Sequence, residues 1–378
     1  MKNLYKDIKK SILGHFNFIP TGHEYHRLEV LIGMIYSTIV GMNCSLETQG
    51  NNLPEVGESL REKESRLKQA KRWLMSKWTD YTAHYQPFIV GFIARVAKQK
   101  KELIFVIDGS ETGNNCVTLM ISLVWGKRSL PIIWVTRQGK KGHFPEQMHI
   151  DLLSSLSNIL EGMGINERIV ILGDGEFDGE EWVKFIESKR WEYVLRTSLD
   201  RKVSNNTSAQ LSNHGDTFPI SQLPIDAHLE CGFASFGVNN SHAILWKGKH
   251  YKDPIPLITN MELAKMACRY YKKRFAIETL FKDIKSNGFN IHKVKISDPD
   301  RIQNLLIVVS LAFLFAFALG KAAKKAGQNL AQVYRIDRIK NLSDFKFGTK
   351  ILIFCLKTNT CISFFFSKSF HFFIHIQT

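Results

Sequence analysis

The sequence predicts an α/β protein in which helices cover the faces of a sheet and a helical region comes first. From about residue 100, short apolar runs and helical patterns follow one another in the order β-β-β-α-β-α-β, whereas residues 1–100 show helical spacing. In addition, 44% hydrophobic and 23% charged residues over 378 positions are ordinary for a globular chain. This composition excludes disordered, collagen-like and coiled-coil classes.

Residues 1–100 are predicted to form a helical region that contacts DNA. Apolar residues with helical spacing run from 25 to 42, and residues 61–78 carry a dense basic cluster. Such a cluster is typical either of a solvated helix face or of a helix that lies along phosphates. The chain has 51 Lys and Arg against 35 Asp and Glu, a formal net charge of +16. That excess favours a polyanionic partner, either nucleic acid or an acidic membrane surface.

Residues 101–199 contain the elements that predict the sheet. A turn at Gly126 and Lys127 separates two apolar runs, so the first three strands are expected to form an antiparallel meander. Pro145 then suits the first turn of a helix. The predicted elements are strands at 103–107, 116–125 and 130–136, a helix at 145–163, a strand at 168–172, a helix at 179–189 and a strand at 191–197.

The rest of the chain is predicted in three parts. Residues 200–260 form a β-rich insertion, with short strands at 229–238, 243–246 and 255–259. Residues 261–344 return to the core, with helices at 261–287 and 301–327, and residues 345–378 are an atypical Phe-rich tail to which we assign no function. The apolar run 305–319 is short for a membrane span, which needs about 20 residues, so we expect a buried core helix.

The cysteines and the N-terminus indicate the compartment. The six cysteines are scattered without a C-x-x-C pair, which favours a reduced, intracellular protein. The first ten residues are charged and no signal-peptide core follows them. We therefore expect a cytoplasmic protein that does not enter a membrane.

Two aspartates stand at the ends of predicted strands. Asp108 follows the first strand and Asp174 the fourth, and each is followed by Gly. If these two strands are neighbours, the carboxylates lie close together and can approach a divalent ion such as Mg²⁺, which prefers oxygen ligands. Either aspartate alone is explained as well by a turn cap. Glu176 is a weaker candidate ligand, and Asp178 is expected to start the next helix.

The predicted helix at 261–287 carries a narrow polar stripe. Tyr271, Arg274, Glu278 and Lys285 project within an arc of about 60° on a regular helix. An exposed glutamate among cations is often explained by ion pairing along a helix. One carboxylate aligned with cations over four turns also suits a site for metal and phosphate. In that case Glu278 binds the metal, and Arg274 and Lys285 hold phosphates.

The spacing Tyr-x2-Arg-x3-Glu-x6-Lys resembles the signature of the bacterial insertion-sequence transposases of family four, the YREK group of DDE recombinases. The resemblance covers about residues 100–320 and implies an RNase H-like fold with a mixed sheet. It also implies that the catalytic, metal-binding residues are Asp108, Asp174 and Glu278. Tyr271, Arg274 and Lys285 would then contact DNA phosphates near the transposon end.

The resemblance implies a metal-dependent transposase that cleaves and transfers DNA strands at terminal inverted repeats in a cut-and-paste reaction. Two Mg²⁺ ions are expected, with Mn²⁺ able to substitute, and Asp108 would bridge them. The expected partners are double-stranded DNA, as transposon ends and as target, and a second copy of the chain in a homodimer on DNA.

Two other functions fit the same residues. Another RNase H-like nuclease would share the three carboxylates but not the Tyr-Arg-Glu-Lys spacing. A catalytically inactive, DNA-binding relic of a transposase would keep the core, and the unusual tail leaves this reading open.

Overall fold

The computed structural model describes residues 2–14, 20–52, 60–139, 144–204, 217–226, 231–236, 241–249, 251–326 and 341–362. In the described part of the chain, six helices precede the first strand: α1 (Lys2–Leu13), α2 (Gly22–Gly41), α3 (Leu46–Asn51), α4 (Leu60–Met75), α5 (Tyr81–His84) and α6 (Gln86–Lys100). The predicted helix at 25–42 corresponds to α2. The basic segment 61–78 corresponds to α4, which ends at Met75, so that Lys77 and Trp78 follow the helix.

The centre of the chain alternates strands with two helices. These elements are β1 (Glu102–Glu111), β2 (Cys116–Trp125), β3 (Arg128–Gln138), α7 (Glu146–Gly162), β4 (Arg168–Gly173), α8 (Glu180–Ser188) and β5 (Glu192–Arg196). Each of them lies where a strand or helix was predicted. The turn between β2 and β3 contains Gly126 with a φ of 62°, a left-handed conformation that favours glycine.

The strands β6 (Lys202–Ser204) and β7 (Thr217–Pro219) form a small separate sheet, which the sequence did not predict. Three further strands follow: β8 (Cys231–Phe236), β9 (Ser241–Trp246) and β10 (Ile255–Thr259). Within the described residues, eight strands make one mixed sheet in the order β3-β2-β1-β4-β5-β10-β9-β8. The late strands therefore extend the central sheet beyond β5, and β10 pairs antiparallel with β5.

The pairing of β1 decides where the sheet can hold a site. β1 is antiparallel to β2 and parallel to β4, and β4 is parallel to β5. The predicted fold class is confirmed: a mixed sheet with flanking helices follows a helical region, and the arrangement is compatible with an RNase H-like fold.

The last helices are α9 (Ala264–Lys273), α10 (Phe275–Ile284), α11 (Pro299–Ala326) and α12 (Asp344–Thr358). By length and composition α11 could cross a membrane, but 94% of its apolar window is buried inside the protein. It packs against α12 at two glycines, because a Cβ on Gly320 would overlap Asp344 and one on Gly348 would overlap Ala316. This burial is the behaviour expected of a core helix.

The start of the Phe-rich tail is part of the core. Phe345 and Phe347 are fully buried, and Ser343 caps the first turn of α12 by accepting a hydrogen bond from the amide of Lys346. The amphipathic pattern of this stretch is obscured because apolar residues occur on most faces of the helix. The final phenylalanines lie outside the described residues.

One helix was predicted at 261–287, and the structure has two. At Arg274 the amide donates to the carbonyl of Tyr271, and the Arg274 carbonyl accepts from Ile277, so the spacing tightens from four residues to three. Residues 261–287 contain neither Gly nor Pro, so the sequence gives no indication of this break. The assumption of one regular helix was therefore wrong, and Lys285 follows the end of α10.

Candidate active site

The two aspartates occupy matching positions on neighbouring parallel strands. The parallel pairing of β1 with β4 ends where Val106 lies opposite Leu172, and Asp108 and Asp174 each come two residues later. Residues in register on parallel strands project to the same face of a sheet. The sequence predicted that Asp108 lies at the end of its strand. This was wrong, because β1 continues to Glu111 in its antiparallel pairing with β2.

A cavity of about 520 Å³ lies at this end of the sheet. It brings together Asp108, Asp174 and Glu278, the three carboxylates that the sequence analysis selected, and Arg274. The other lining residues are Gly109, Ser110, Val117, Phe144, Glu176 and Phe281. Gly109 is required here, since a Cβ at this position would lie 2.7 Å from the Phe144 ring.

The carboxyl group of Asp108 is strongly perturbed. Its pKa is raised from the ordinary 3.8 to about 7, chiefly by burial and then by the nearby charge of Asp174, against the lowering effect of Arg274. The Gly109 amide donates a hydrogen bond of 2.8 Å to Asp108 Oδ1. On the other strand, the Glu176 amide donates to Asp174 Oδ1 at 3.2 Å. The cavity therefore concentrates negative charge, which a bound cation would stabilise.

Arg274 supplies part of that positive charge. Its Nη2 lies 2.6 Å from Glu278 Oε1, and its Nη1 lies 3.8 Å from Asp108 Oδ2. The Arg274 side chain is only 9% exposed, while that of Glu278 is 50% exposed. The guanidinium therefore contacts carboxylates from two different elements, β1 and α10.

Tyr271 and Lys285 support this cluster from outside the cavity lining. Tyr271 is buried, at 2% exposure, and its ring centroid lies 5.8 Å from the Arg274 guanidinium. Lys285 Nζ donates a hydrogen bond of 2.6 Å to Ser110 Oγ, and Ser110 lines the cavity. Because of the break at Arg274, Tyr271 lies on α9 and Glu278 lies on α10.

Several cavity residues were missed or undervalued in the sequence. Glu176, a weaker candidate, lines the cavity and accepts a 2.6 Å hydrogen bond from the amide of Phe144. His149 is buried 4.0 Å from Glu176, and burial lowers its pKa to about 4, so it is neutral near pH 7. The prediction that Asp178 starts α8 was wrong, because Gly179 is the N-cap residue of that helix. Asp178 instead accepts hydrogen bonds from the side chains of Thr197 and Arg201 and does not line the cavity. Ser110 could have been selected from the sequence because it lies two residues after Asp108, whereas no sequence pattern points to Phe144.

Asp108 and Asp174 offer oxygen donors of the kind that a divalent metal ion binds. A cation near Asp108 and Asp174 would relieve the repulsion that raises the Asp108 pKa, and carboxylate oxygens are the ligands that Mg²⁺ prefers. Among the described residues, no group of three His, Cys, Asp or Glu side chains is arranged to hold a metal ion. In this arrangement the Glu278 carboxylate is engaged by Arg274.

Three comparisons relate the chain to known proteins. Residues 78–315 match a family model described as "Transposase DDE domain". No curated protein matches the chain. Among solved structures, the chain is similar to one titled "Crystal structure of Aa-Ago with externally-bound siRNA", with 13% identity and a TM-score of 0.24. That match covers 68% of this chain but only 37% of the other, and a likeness this weak carries no argument.

The family match includes every residue that lines the cavity, from Asp108 to Phe281. A transposase DDE domain implies a transposition-related nuclease that acts on DNA, and such enzymes generally use divalent metal ions. Because the match extends over more than half of the sequence, the chain belongs to the DDE-domain transposase family.

Proposed function

We propose that this chain is a cut-and-paste DNA transposase of insertion-sequence family four, the YREK-signature group. It would cleave DNA at terminal inverted repeats and transfer the cut strands to a target. The observation that carries the proposal is one cavity lined by Asp108, Asp174 and Glu278, with Arg274 bound to the last of them. The Tyr-Arg-Glu-Lys spacing supports the narrower group.

In this proposal Asp108, Asp174 and Glu278 hold two Mg²⁺ ions, or Mn²⁺ in their place. When bound, these ions would activate the attacking oxygen and stabilise the leaving oxygen. Glu278 has to exchange its contact with Arg274 for a metal contact, which leaves the guanidinium available to DNA. Half of the Glu278 side chain is already exposed, so this exchange does not require the core to open.

Arg274 and Lys285 are proposed to bind phosphates of the transposon end. A guanidinium can make paired contacts with phosphate oxygens, whereas an ammonium makes a point contact. Lys285 is held by Ser110 at the cavity, where its charge can meet a phosphate next to the carboxylates. Tyr271 lies beneath Arg274, so its contact with phosphate requires the Arg274 side chain to move.

The proposed partners are double-stranded DNA, both transposon ends and target, and a second copy of the chain in a homodimer on DNA. The net charge of +16 supports the first of these. The proposed location is the cytoplasm, where the substrate of a bacterial element lies.

The test is strand nicking and strand transfer with terminal-repeat duplexes taken from the DNA that flanks the gene. We expect both activities with Mg²⁺ or Mn²⁺, and neither with Asp108→Asn or Glu278→Gln, although both variants should still bind the duplex. Cleavage without transfer of a pre-cut end would instead indicate another RNase H-like nuclease. Specific binding with no cleavage by the wild type would indicate an inactive relic.

A further inference from the structure

The end of α4 exposes two large apolar side chains. Met75 is 66% exposed and Trp78, three residues later, is 62% exposed. All seven tryptophans of the chain lie in its described part, and the other six are buried or half-buried. Surface apolar groups are common singly, but two large ones exposed three residues apart are more typical of interaction surfaces.

Met75 lies on a basic face of α4, and Trp78 follows the end of this helix. On α4, Lys68, Lys71, Arg72 and Met75 project at about 0°, −60°, +40° and −20°, within an arc of about 100°. All four are exposed, and residues 68–77 include four Lys or Arg and no acidic residue. Cations near a helix C-terminus are stabilised by the helix dipole, which accounts for the charges. That stabilisation does not account for the exposed Met75 and Trp78.

Hydrogen bonds and buried neighbouring residues hold the backbone on both sides of Trp78. Trp73 is buried and its Nε1 donates to the carbonyl of Arg27 at 3.0 Å. The side-chain amide of Asn304 in α11 donates to the carbonyl of Leu74, also at 3.0 Å. Thr79, which directly follows Trp78, is buried. A ring held on a rigid stem loses little conformational entropy when a partner covers it.

Acidic groups near Trp78 are largely engaged elsewhere. A cavity of about 410 Å³ between this loop and the start of α11 includes Asp80, Asp298 and Asp300 in its lining. Asp80 Oδ1 accepts a 2.7 Å hydrogen bond from the Ala83 amide, and Asp298 Oδ1 accepts one of 3.1 Å from the Arg301 amide. Asp300 is exposed in the first turn of α11, so all three carboxylates lie at helix starts, where the helix dipole offsets part of their charge.

This surface lies at the same end of the sheet as the carboxylate cavity. The start of α11 binds the end of α4 through Asn304. The turn after β1 binds the segment before α11, since the Asn114 amide donates to the carbonyl of Ile296 at 2.8 Å. That turn follows Ser110, which lines the cavity. The turn after β1 and the start of α11 thus connect the cavity to the end of α4.

We propose that Trp78, together with Met75, inserts against the bases of duplex DNA whose phosphates lie on Lys68, Lys71 and Arg72. The inference rests on the proposed function for the identity of the substrate, and it adds an apolar base contact distant from the carboxylates. Apolar side chains wedged at a base step stabilise a bent duplex, and aromatic stacking on bases tolerates any sequence. This contact would hold flanking DNA without reading its sequence.

The test uses acrylamide quenching of tryptophan fluorescence in the full-length, metal-free protein, where no cleavage occurs. Trp78 should supply most of the quenchable signal, and Trp78→Phe should remove it. Addition of a mixed-sequence DNA duplex should protect this signal in the wild type. Trp78→Ala should weaken duplex binding by about 5- to 100-fold, while Trp78→Phe, which keeps a stacking ring, should weaken it less. Leu263→Ala, at another exposed apolar residue, is the control and should leave affinity unchanged.

The outcomes separate this inference from the proposed function. Duplex binding that leaves Trp78 open to acrylamide, or equal affinity of Trp78→Ala and wild type, overturns the inference and leaves the transposase proposal intact. Protection of Trp78 without any metal-dependent cleavage by the wild type supports the inference and contradicts the transposase proposal. A change of oligomeric state in DNA-free Trp78→Ala, with unchanged DNA affinity, assigns the surface to a second copy of the chain and also overturns the inference.

Discussion

At the scale of single residues, the charge on Asp108 lowers the free energy of unfolding by an amount that depends on pH. Its pKa is raised from 3.8 to about 7 in the folded protein, chiefly by burial and then by Asp174. Between these two values the folded chain keeps a proton that the unfolded chain releases. The contribution of Asp108 to the free energy of unfolding therefore falls as pH rises through this window.

Asp108→Asn should remove this pH dependence. In EDTA, we expect the variant to be more stable than the wild type by about 1–4 kcal/mol at pH 8 and by much less at pH 4. Urea unfolding at the two pH values measures the difference. Asp151→Asn, at an exposed position on α7, is the control and should shift neither value. Equal stability of Asp108→Asn and wild type at pH 8 would contradict the account of the cavity.

In the proposed function, Arg274 would compete with metal for the same carboxylates. Because its guanidinium contacts both Glu278 and Asp108, a metal ion must displace or repel it. Arg274→Gln should therefore bind Mn²⁺ more tightly, by about tenfold, the effect of roughly 1.4 kcal/mol of relieved repulsion. The same variant should bind terminal-repeat DNA more weakly.

Calorimetric Mn²⁺ titration without DNA measures the first effect, and a gel shift without metal measures the second. Arg274→Lys is the matched variant, since it keeps the charge and loses the planar fork. It should resemble the wild type in Mn²⁺ affinity. Unchanged Mn²⁺ affinity in Arg274→Gln would show that the guanidinium does not compete with the metal.

At the scale of elements, the contact between α11 and α12 depends on two glycines. A Cβ on Gly348 would overlap the backbone carbonyl of Ala316, and backbone atoms cannot rotate away as a side chain can. Gly348→Ala should therefore destabilise the protein by about 1–3 kcal/mol through overpacking. A thermal melt measures the loss.

Gly162→Ala, at the end of α7, is the matched control. Nothing lies within 4 Å of a Cβ there, so this variant should be neutral or slightly stabilising. If Gly348→Ala melts like the wild type, α12 does not pack on α11 as described, and the first part of the Phe-rich tail is dispensable.

At the scale of the whole molecule, the excess of 16 positive charges should make DNA binding strongly dependent on salt. The logarithm of affinity should fall with the logarithm of salt concentration by about 0.9 for each phosphate contact. Titrations of a labelled duplex at several salt concentrations give this slope. A Lys71→Gln, Arg72→Gln variant should lower it by about 2 if α4 lies along the DNA. A slope near zero for the wild type would argue against a nucleic-acid partner.

The sequence by itself determined the order of elements from β1 to β5, and it selected the three carboxylates that line the cavity. Periodicity located β1 to β5, α7 and α8, because apolar spacing follows local geometry. Asp108 and Asp174 could be selected because each stands beside an apolar strand. Glu278 could be selected from its spacing to Tyr271, Arg274 and Lys285. The role of these residues in catalysis and phosphate binding stays a prediction.

Only the tertiary structure decided how these groups meet. Sequence analysis did not predict the break between α9 and α10 or the burial of Tyr271. It also did not predict the contact of Arg274 with Asp108, which joins residues more than 150 positions apart. Sequence periodicity cannot predict such contacts, because it records which face of one element is apolar and not which element covers it. For the same reason the burial of Phe345, and the exposure of Trp78 beside a basic helix, became clear only when neighbouring elements were in place.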